Sequence, residues 1–168
     1  MNLSIYKPNP SGTGCAFSFQ IGVDGKTGSP SMYMKAIKQH SWDAGKRIGN
    51  FSNNKEDPTK NLSLKFNESE CGEIISAINH RHEFSTFHSF EENKTSIKFS
   101  PWDKKLKNSD SDKTLPAFGI TVTRNGSETF KIPVDPGETV ALTELFKYFF
   151  VRVFDHRSEQ ITNKKAPF

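Results

Sequence analysis

The chain contains a loose group of side chains that commonly hold metal ions. His80, His82 and His88 lie close together in the sequence, and Cys71 precedes them. The His-x-His pair falls where a helix is expected to end, and its spacing differs from that of zinc motifs. A metal-dependent hydrolase centred on these histidines is therefore the less favoured alternative, and we expect neither a metal site nor a cofactor.

Other patterns that support catalysis are weak. Serine, histidine and aspartate are plentiful, but no nucleophile elbow is present. The segment Gly12-Thr13-Gly14 precedes a predicted strand, whereas a phosphate-cradling loop leads into a helix. We therefore expect no catalytic residue and no enzymatic activity.

A second set of side chains suits a flexible polyanion. Single strands of nucleic acid are bound by cations that follow the phosphates and by flat rings on which bases stack. The chain carries a net charge of +4, and its basic excess is strongest in the first part. The candidate cations are Lys35, Lys38, Lys46, Arg47, Lys65, Lys94, Lys98 and Lys131. The candidate stacking platforms are Tyr33, Trp42 and Trp102.

The length and composition fit one domain in a reducing compartment. A chain of 168 residues with 33% hydrophobic residues is long enough to bury a core. The longest apolar run is far shorter than the roughly 20 residues that cross a bilayer, so we expect no membrane partner. Cys15 and Cys71 form no disulfide framework. No targeting leader is visible, which predicts a cytoplasmic protein of a bacterial or virus-infected host cell.

Alternating apolar and polar residues predict four strands in the first half of the chain. The pattern is clear at 15–21, 32–38 and 61–66 and weaker at 47–51. It places Phe17, Phe19 and Phe66 in the core. A helix with apolar residues at helical spacing follows, from an N-cap at Ser69 to about His80.

The second half repeats this order. Strands are predicted at 84–90, 94–100, 118–123 and 130–134, with Phe99 in the core and a hairpin turn at Asn125-Gly126. The polar segment from 103 to 114 has no periodicity, which predicts a mobile loop. Asp135-Pro136 then caps a helix with a wide apolar stripe. Residues 156–168 lack an apolar period, so we expect one domain over 1–155 and a flexible C-terminal tail.

The two halves also align with each other. Residues 62–70 match residues 130–138 at a constant offset of 68, and each segment is a strand, a capped turn and the start of a helix. This predicts a duplicated β-β-β-β-α unit: an α+β fold with two antiparallel four-stranded sheets and two helices. Two unrelated strand-helix junctions are the alternative. The second helix is apolar enough to pack partly on another subunit.

The order of motifs resembles the Whirly family of single-stranded DNA-binding proteins over residues 3 to 155. The family opens with Lys-Gly-Lys-Ala-Ala-Leu-Ser, and this chain has a similar segment that lacks the second lysine and contains an insertion. This opening segment is Ile5-Tyr6-Lys7 followed by Gly14-Cys15-Ala16-Phe17-Ser18. Further similar segments follow in the family's order: Met32-Tyr33-Met34-Lys35, Ser41-Trp42-Asp43, Leu62-Ser63-Leu64 with Glu70-Cys71-Gly72-Glu73-Ile74-Ile75-Ser76, Glu83-Phe84-Ser85-Thr86-Phe87-His88, and Ile132-Pro133-Val134 with Glu138.

The resemblance implies both an architecture and a function. It implies a homotetramer with helices near the subunit interfaces, and single-stranded DNA bound along the sheet faces with little sequence preference. Lys7 of the opening segment joins the candidate binding residues on this basis. We therefore expect a protein that coats or protects single-stranded DNA in replication, recombination or repair. Binding of guide RNA or messenger RNA by the same fold is the alternative.

Overall fold

The computed structural model describes residues 1–106 and 113–165 of the chain. It contains ten strands, two helices and one turn of 3₁₀ helix at Ser52–Asn54 within those residues. The strands are β1 (Asn2–Lys7), β2 (Cys15–Val23), β3 (Pro30–Lys38), β4 (Ser41–Asp43), β5 (Ile48–Asn50), β6 (Asn61–Phe66), β7 (Phe84–Phe90), β8 (Asn93–Lys105), β9 (Thr114–Arg124) and β10 (Glu128–Val134). The helices are α1 (Glu68–His80) and α2 (Pro136–Lys165).

The strands form two antiparallel four-stranded sheets, each followed by one helix. The first sheet has the order β1-β2-β3-β6, and the second has the order β7-β8-β9-β10. The predicted α+β class and the duplicated β-β-β-β-α plan are therefore confirmed. The Asn125-Gly126 turn joins β9 to β10, and both of its residues have the positive φ that this hairpin turn requires.

The predicted strand faces are also confirmed. Phe17, Phe19, Phe66 and Phe99 are at most 1% exposed and belong to the common hydrophobic core. Their polar neighbours along each strand point outward because successive side chains of a strand alternate between its two faces. Each sheet therefore has an apolar inner face and a polar outer face.

Helix α1 begins two residues earlier than the sequence pattern predicts. The Asn67 side chain accepts a hydrogen bond from the Glu70 backbone N–H at 2.8 Å, and the Glu70 carboxylate accepts one from Asn67 N–H at 2.9 Å. This reciprocal capping box makes Asn67 the N-cap, so the prediction of Ser69 was wrong. The helix ends at His80, as predicted, and Arg81 follows in a left-handed conformation.

One hydrophobic core joins the two halves of the chain. The ring of Phe146 on α2 packs edge-on against Phe19 and Phe66, with centroids 6.0 and 6.3 Å apart. Phe66 also contacts Phe99 of the second sheet at 6.4 Å. A polar bridge reinforces this packing, because the Arg124 guanidinium donates to the backbone carbonyl of Asn61 at 3.2 Å.

The predicted strand at 47–51 does not belong to either four-stranded sheet. Residues Ile48–Asn50 pair only with Ser41–Asp43, and they form a small separate hairpin. The fourth strand of the first sheet is instead Asn2–Lys7, which pairs along β2. The sequence pattern missed this strand because Ile5 is its only fully buried residue, which leaves a very short periodic signal.

The predicted loop at 103–114 is partly strand, because β8 continues to Lys105 and β9 starts at Thr114. Residues 107–112 lie outside the described part.

The segment from 156, which the sequence pattern predicts to be a flexible tail, is helical to Lys165. Arg157 donates to Glu68 of α1 at 2.5 Å, which fixes this extension on the first half. Residues 166–168 lie outside the described part.

In the described part of the chain, neither helix combines the length and the apolar character that crossing a bilayer requires.

Candidate nucleic-acid interface

The register of the first sheet places a row of small polar side chains and one lysine across its outer face. Ser4 of β1 lies opposite Ser18 of β2, Ser18 opposite Lys35 of β3, and Lys35 opposite Ser63 of β6. Lys35 is exposed, whereas its chain neighbours Met34 and Ala36 are fully buried. The row is therefore an open surface of hydroxyl groups around one ammonium group.

The next row contains Tyr33 and Lys65, which lie opposite each other on β3 and β6. The Lys65 ammonium is 2.6 Å from the Asp24 carboxylate. This contact, together with backbone N–H groups of Lys26 and Thr27, holds the pKa of Asp24 well below its ordinary value. Tyr33 is half-buried and packs near Gly22, so its ring lies along the sheet.

The β4–β5 hairpin extends over this face and encloses a groove of about 790 Å³ against β1, β2 and β3. Three cationic side chains line it: Lys35 from the sheet, Arg47 from the hairpin and Lys55 from the segment that follows. No residue that lines this groove is acidic. Its potential is therefore positive, and it attracts anionic groups.

Two aromatic rings stand in the same groove. Tyr6 of β1 is 60% exposed, and its ring contacts Phe51 edge-on with 5.9 Å between centroids. Phe51 follows β5, so the contact joins the sheet to the hairpin. The groove thus combines cations with an exposed ring, the two features that single-stranded nucleic acid requires.

Gln39 holds the hairpin in position. Its side chain is buried, and the amide nitrogen donates to the backbone carbonyls of Asn9 and Ser41, both at 3.0 Å. Its amide oxygen accepts from the Asn9 backbone N–H at 2.9 Å. A Cβ at Gly49 would overlap the Pro8 side chain, so glycine is required for this close approach. The inserted loop after β1 therefore supports the wall of the groove.

The second sheet presents an equivalent outer row. Ser85, Lys98, Thr121 and Lys131 lie opposite one another on β7, β8, β9 and β10. The Lys98 ammonium is 2.6 Å from the Glu83 carboxylate, in an exposed ion pair. The hairpin that covers part of the first sheet has no counterpart in the described part of the second.

Lys7 has partners inside the molecule. Its ammonium donates to Asp135 at 2.9 Å and to Glu138 at 2.8 Å, at the start of α2. Burial disfavours its charge, but these carboxylates outweigh burial and raise the pKa of Lys7. Lys7 therefore joins β1 to the start of α2, and it does not line the groove.

The remaining predicted residues are distributed around the molecule. The Trp102 indole N–H donates to the Phe118 carbonyl at 2.8 Å, and its ring is 37% exposed. Trp42 is half-buried in the β4–β5 hairpin, opposite Gly49. Lys46 is exposed in the turn of that hairpin, beside Arg47. Lys94 is exposed near the β9–β10 turn, and Lys38 lies at the end of β3.

Sequence reasoning missed Tyr6, Phe51 and Lys55 as groove residues. Tyr6 follows the alternation of β1, but that strand was not predicted. Phe51 and Lys55 lie outside the long strands, and only the tertiary fold brings them next to Lys35. No local pattern in the sequence contains that information.

The structure does not assemble the histidines with Cys71. His88 lies 2.7 Å from the Glu70 carboxylate, which also accepts from the Thr86 hydroxyl at 2.6 Å. Burial opposes ionisation of Glu70, but these hydrogen bonds lower its pKa. Cys71 is buried, which raises the pKa of its thiol. Among the described residues, no three potential ligands come together in metal-binding geometry.

The fold is Whirly-like, as the order of motifs predicted. The structure of WHY3 from Arabidopsis thaliana matches with a TM-score of 0.60 and 15% identity, over 99% of this chain and 95% of that chain. WHY1 from the same plant gives 0.58 and 13%, over 99% and 97%. The plant transcriptional regulator PBF-2 gives 0.57 and 16%, over 99% and 88%. No protein-family model matches the sequence. The curated proteins also contain no significant match.

Proposed function

We propose that the protein binds single-stranded DNA with little sequence preference and acts without catalysis. The observation that carries the proposal is the groove on the first sheet. It combines Lys35, Arg47 and Lys55 with the exposed ring of Tyr6, and no acidic side chain lines it. The Whirly-like fold and the ordered motifs of the sequence support the same function.

The groove chemistry favours a single strand over a duplex. Bases in a duplex stack on each other and leave their faces covered, whereas a single strand offers them to a protein ring. Tyr6 is exposed at the edge of the sheet, where an unstacked base reaches it. The cations contact phosphates, which are identical in every sequence. Weak sequence preference follows from this division of contacts.

The biological role that fits such binding is to coat or protect single-stranded DNA during replication, recombination or repair. RNA of the same length offers the same phosphates and base faces, so RNA binding is the alternative outcome. Competition between DNA and RNA oligonucleotides of equal sequence separates the two. A preference for RNA would reassign the ligand but leave the groove as the binding site.

We further propose that copies of the chain associate into a homotetramer through α2. Leu142, Phe146 and Phe149 of this helix are buried in the core. A second stripe along α2 is apolar and at least half exposed in the monomer: Val140, Val151, Phe154 and Ile161. These positions recur at multiples of about 3.5 residues, so they share one side of the helix. Exposed apolar side chains on one side of a helix are typical of a subunit interface, and here the Glu144–Lys147 ion pair lies between Val140 and the other three.

Native mass spectrometry of the wild type and of Val151→Asp with Phe154→Asp tests this association. The wild type is expected as a tetramer, and the variant as smaller species with an unchanged circular dichroism spectrum. A monomeric wild type at micromolar concentration would contradict the assembly without affecting the groove.

Fluorescence anisotropy tests the binding function itself. Labelled single-stranded and double-stranded oligonucleotides of one sequence are titrated at two salt concentrations. We expect tighter binding of the single strand, with an affinity that falls as salt rises because cations are released from its phosphates. Equal affinity for the two forms would overturn the proposal.

Charge-neutralising variants then locate the site. Arg47→Gln combined with Lys55→Gln is expected to weaken binding, since both cations line the groove. Lys26→Gln combined with Lys105→Gln is the matched control, because it removes the same charge and both lysines are exposed and lie outside the groove lining. Equal loss in both variants would mean that net charge, and not the groove, determines affinity.

A further inference from the structure

A second basic pocket, of about 480 Å³, lies where the two sheets meet. Lys38 at the end of β3, Lys60 before β6 and Lys131 on β10 line it. The lining also contains the His40 side chain and the buried thiol of Cys15, and it contains no acidic residue. None of the three lysines forms an ion pair with a residue in the described ranges. The pocket thus concentrates three lysines without an acidic side chain in its lining, and Asp57, outside the lining, compensates part of the charge of Lys60.

Backbone and ring contacts position Lys38 in the pocket and join it to the Lys60 segment. The Lys38 backbone N–H donates to the Lys60 carbonyl at 2.8 Å, which joins the ends of their segments. The Lys38 ammonium lies 5.0 Å from the centroid of the Phe130 ring on the other sheet. Lys131 follows Phe130 and projects from the opposite face of β10. The cations therefore come from both sheets.

The Gly12-Thr13-Gly14 segment forms a wall of this pocket. The Gly12 N–H donates to the Asn9 carbonyl at 3.2 Å, and the Thr13 N–H donates to the Asn9 side chain at 3.0 Å. Those amides are already paired, so the loop shapes the pocket while the lysines supply its charge. This differs from a phosphate-cradling loop, in which backbone amides bind the anion.

We propose that this pocket binds backbone phosphates of the same strand that occupies the groove, and so leads the strand from the first sheet to the second. The inference rests on the proposed function. Gln39 lines the pocket and also holds the hairpin of the groove, so the two sites are neighbours. On the other side, Lys131 belongs to the outer row of the second sheet that contains Lys98.

Strand length distinguishes the pocket from the groove. The triple variant Lys38→Gln, Lys60→Gln and Lys131→Gln is compared with the wild type on oligothymidylates of roughly 6 and roughly 20 nucleotides. A short strand fills the groove alone, so its affinity is expected to stay within twofold of the wild type. The long strand is expected to bind at least tenfold more weakly. A plot of the logarithm of the affinity against the logarithm of the salt concentration is expected to become less steep, its slope changing by about 0.7 for each phosphate contact removed.

The groove variant with Arg47→Gln and Lys55→Gln serves as the reference. A variant with Lys26→Gln, Lys105→Gln and Lys113→Gln controls for net charge, because these exposed lysines line neither the groove nor the pocket. If the groove variant weakens binding and the triple variant leaves the long strand unaffected, the inference about the pocket is overturned while the proposed function stands. If neither variant weakens binding, both the groove and the pocket are excluded as the binding site, whereas a wild type that shows no preference for the single strand overturns the proposed function. A triple variant that loses binding of inorganic phosphate but retains the long strand also overturns the inference. Thermal melting confirms that each variant is folded.

Discussion

Tyr6 and Phe87 occupy equivalent positions in the two sheets. Each lies on the first strand of its sheet and opposite a small residue of the second strand, Ala16 for Tyr6 and Ser96 for Phe87. Their exposed fractions are also nearly equal, at 60% and 58%. The duplication has therefore placed an exposed ring at the same outer edge of both sheets. Only Tyr6 lies in the groove beneath the β4–β5 hairpin.

Replacing Tyr6 by alanine is expected to weaken binding of single-stranded DNA by about 1–3 kcal/mol, the contribution of one stacked base. Tyr6→Phe retains the ring and is expected to bind as the wild type does. Anisotropy titrations at one salt concentration measure both variants. Phe87→Ala provides the comparison on the second sheet and is expected to have a smaller effect. A larger loss from Phe87→Ala would place the principal stacking site on the second sheet.

A methyl group at Gly49 is expected to displace the hairpin and weaken binding. The added Cβ would overlap the Pro8 side chain and lie close to Gln39. Gly45→Ala is the matched control in the same hairpin, because its Cβ would come no closer than 3.4 Å to another residue. We expect reduced affinity for Gly49→Ala and wild-type affinity for Gly45→Ala. Equal affinities would show that the position of the hairpin does not affect binding.

The contact between Lys7 and α2 predicts a loss of stability in acid. Partial burial raises the pKa of Asp135, but hydrogen bonds from Lys104 and Lys7 outweigh it and hold the pKa below its ordinary value of 3.8. The ionised carboxylate therefore stabilises the folded state above that value, and the contribution disappears as the pH falls through the lowered pKa. Lys7→Met is expected to reduce the free energy of unfolding by on the order of 1–2 kcal/mol at pH 7.

Thermal melting of the wild type and Lys7→Met in a series from pH 7 down to pH 2 measures this effect. The difference in Tm is expected to be larger at pH 7, because protonation of Asp135 removes one partner of Lys7 in the wild type. A difference that does not change with pH would indicate that Lys7 contributes through packing of its alkyl chain.

Phe66 is a fully buried core position that is expected to contribute strongly to stability. Its ring contacts Phe99 and Phe146 edge-on, at 6.4 and 6.3 Å, so it lies where both sheets and α2 meet. Phe66→Ala is expected to lower the free energy of unfolding by about 3–5 kcal/mol. Urea denaturation measures this change. Phe66→Leu leaves a smaller cavity than Phe66→Ala and is expected to lower the free energy of unfolding by less. An effect below about 1 kcal/mol would contradict the packing described here.

The sequence was sufficient to predict both helices and seven of the eight strands of the two large sheets, because their signal is local. Alternation places Phe17 and Phe19 inward, and the same alternation places Lys35 outward. The repeat at a constant offset was visible because both halves retain a strand, a capped turn and a helix in the same order. These features depend on residues within a few positions of one another.

The groove was not predictable in the same way, because its parts meet only in the folded chain. Gln39 reaches Asn9 across 30 positions, and Gly49 reaches Pro8 across 41 positions. Such contacts leave no periodic trace. Similarly, periodicity shows that Lys65 points outward, but not that it pairs with Asp24.

The position of α2 in the core makes the two repeats depend on each other during unfolding. Phe146 belongs to the second repeat, yet it completes the interior of the first by packing on Phe19 and Phe66. Neither repeat retains a closed interior when the other opens. Despite its ancestry in a doubled module, the chain is expected to melt in a single cooperative step, and a half excised from it is expected to remain unstructured.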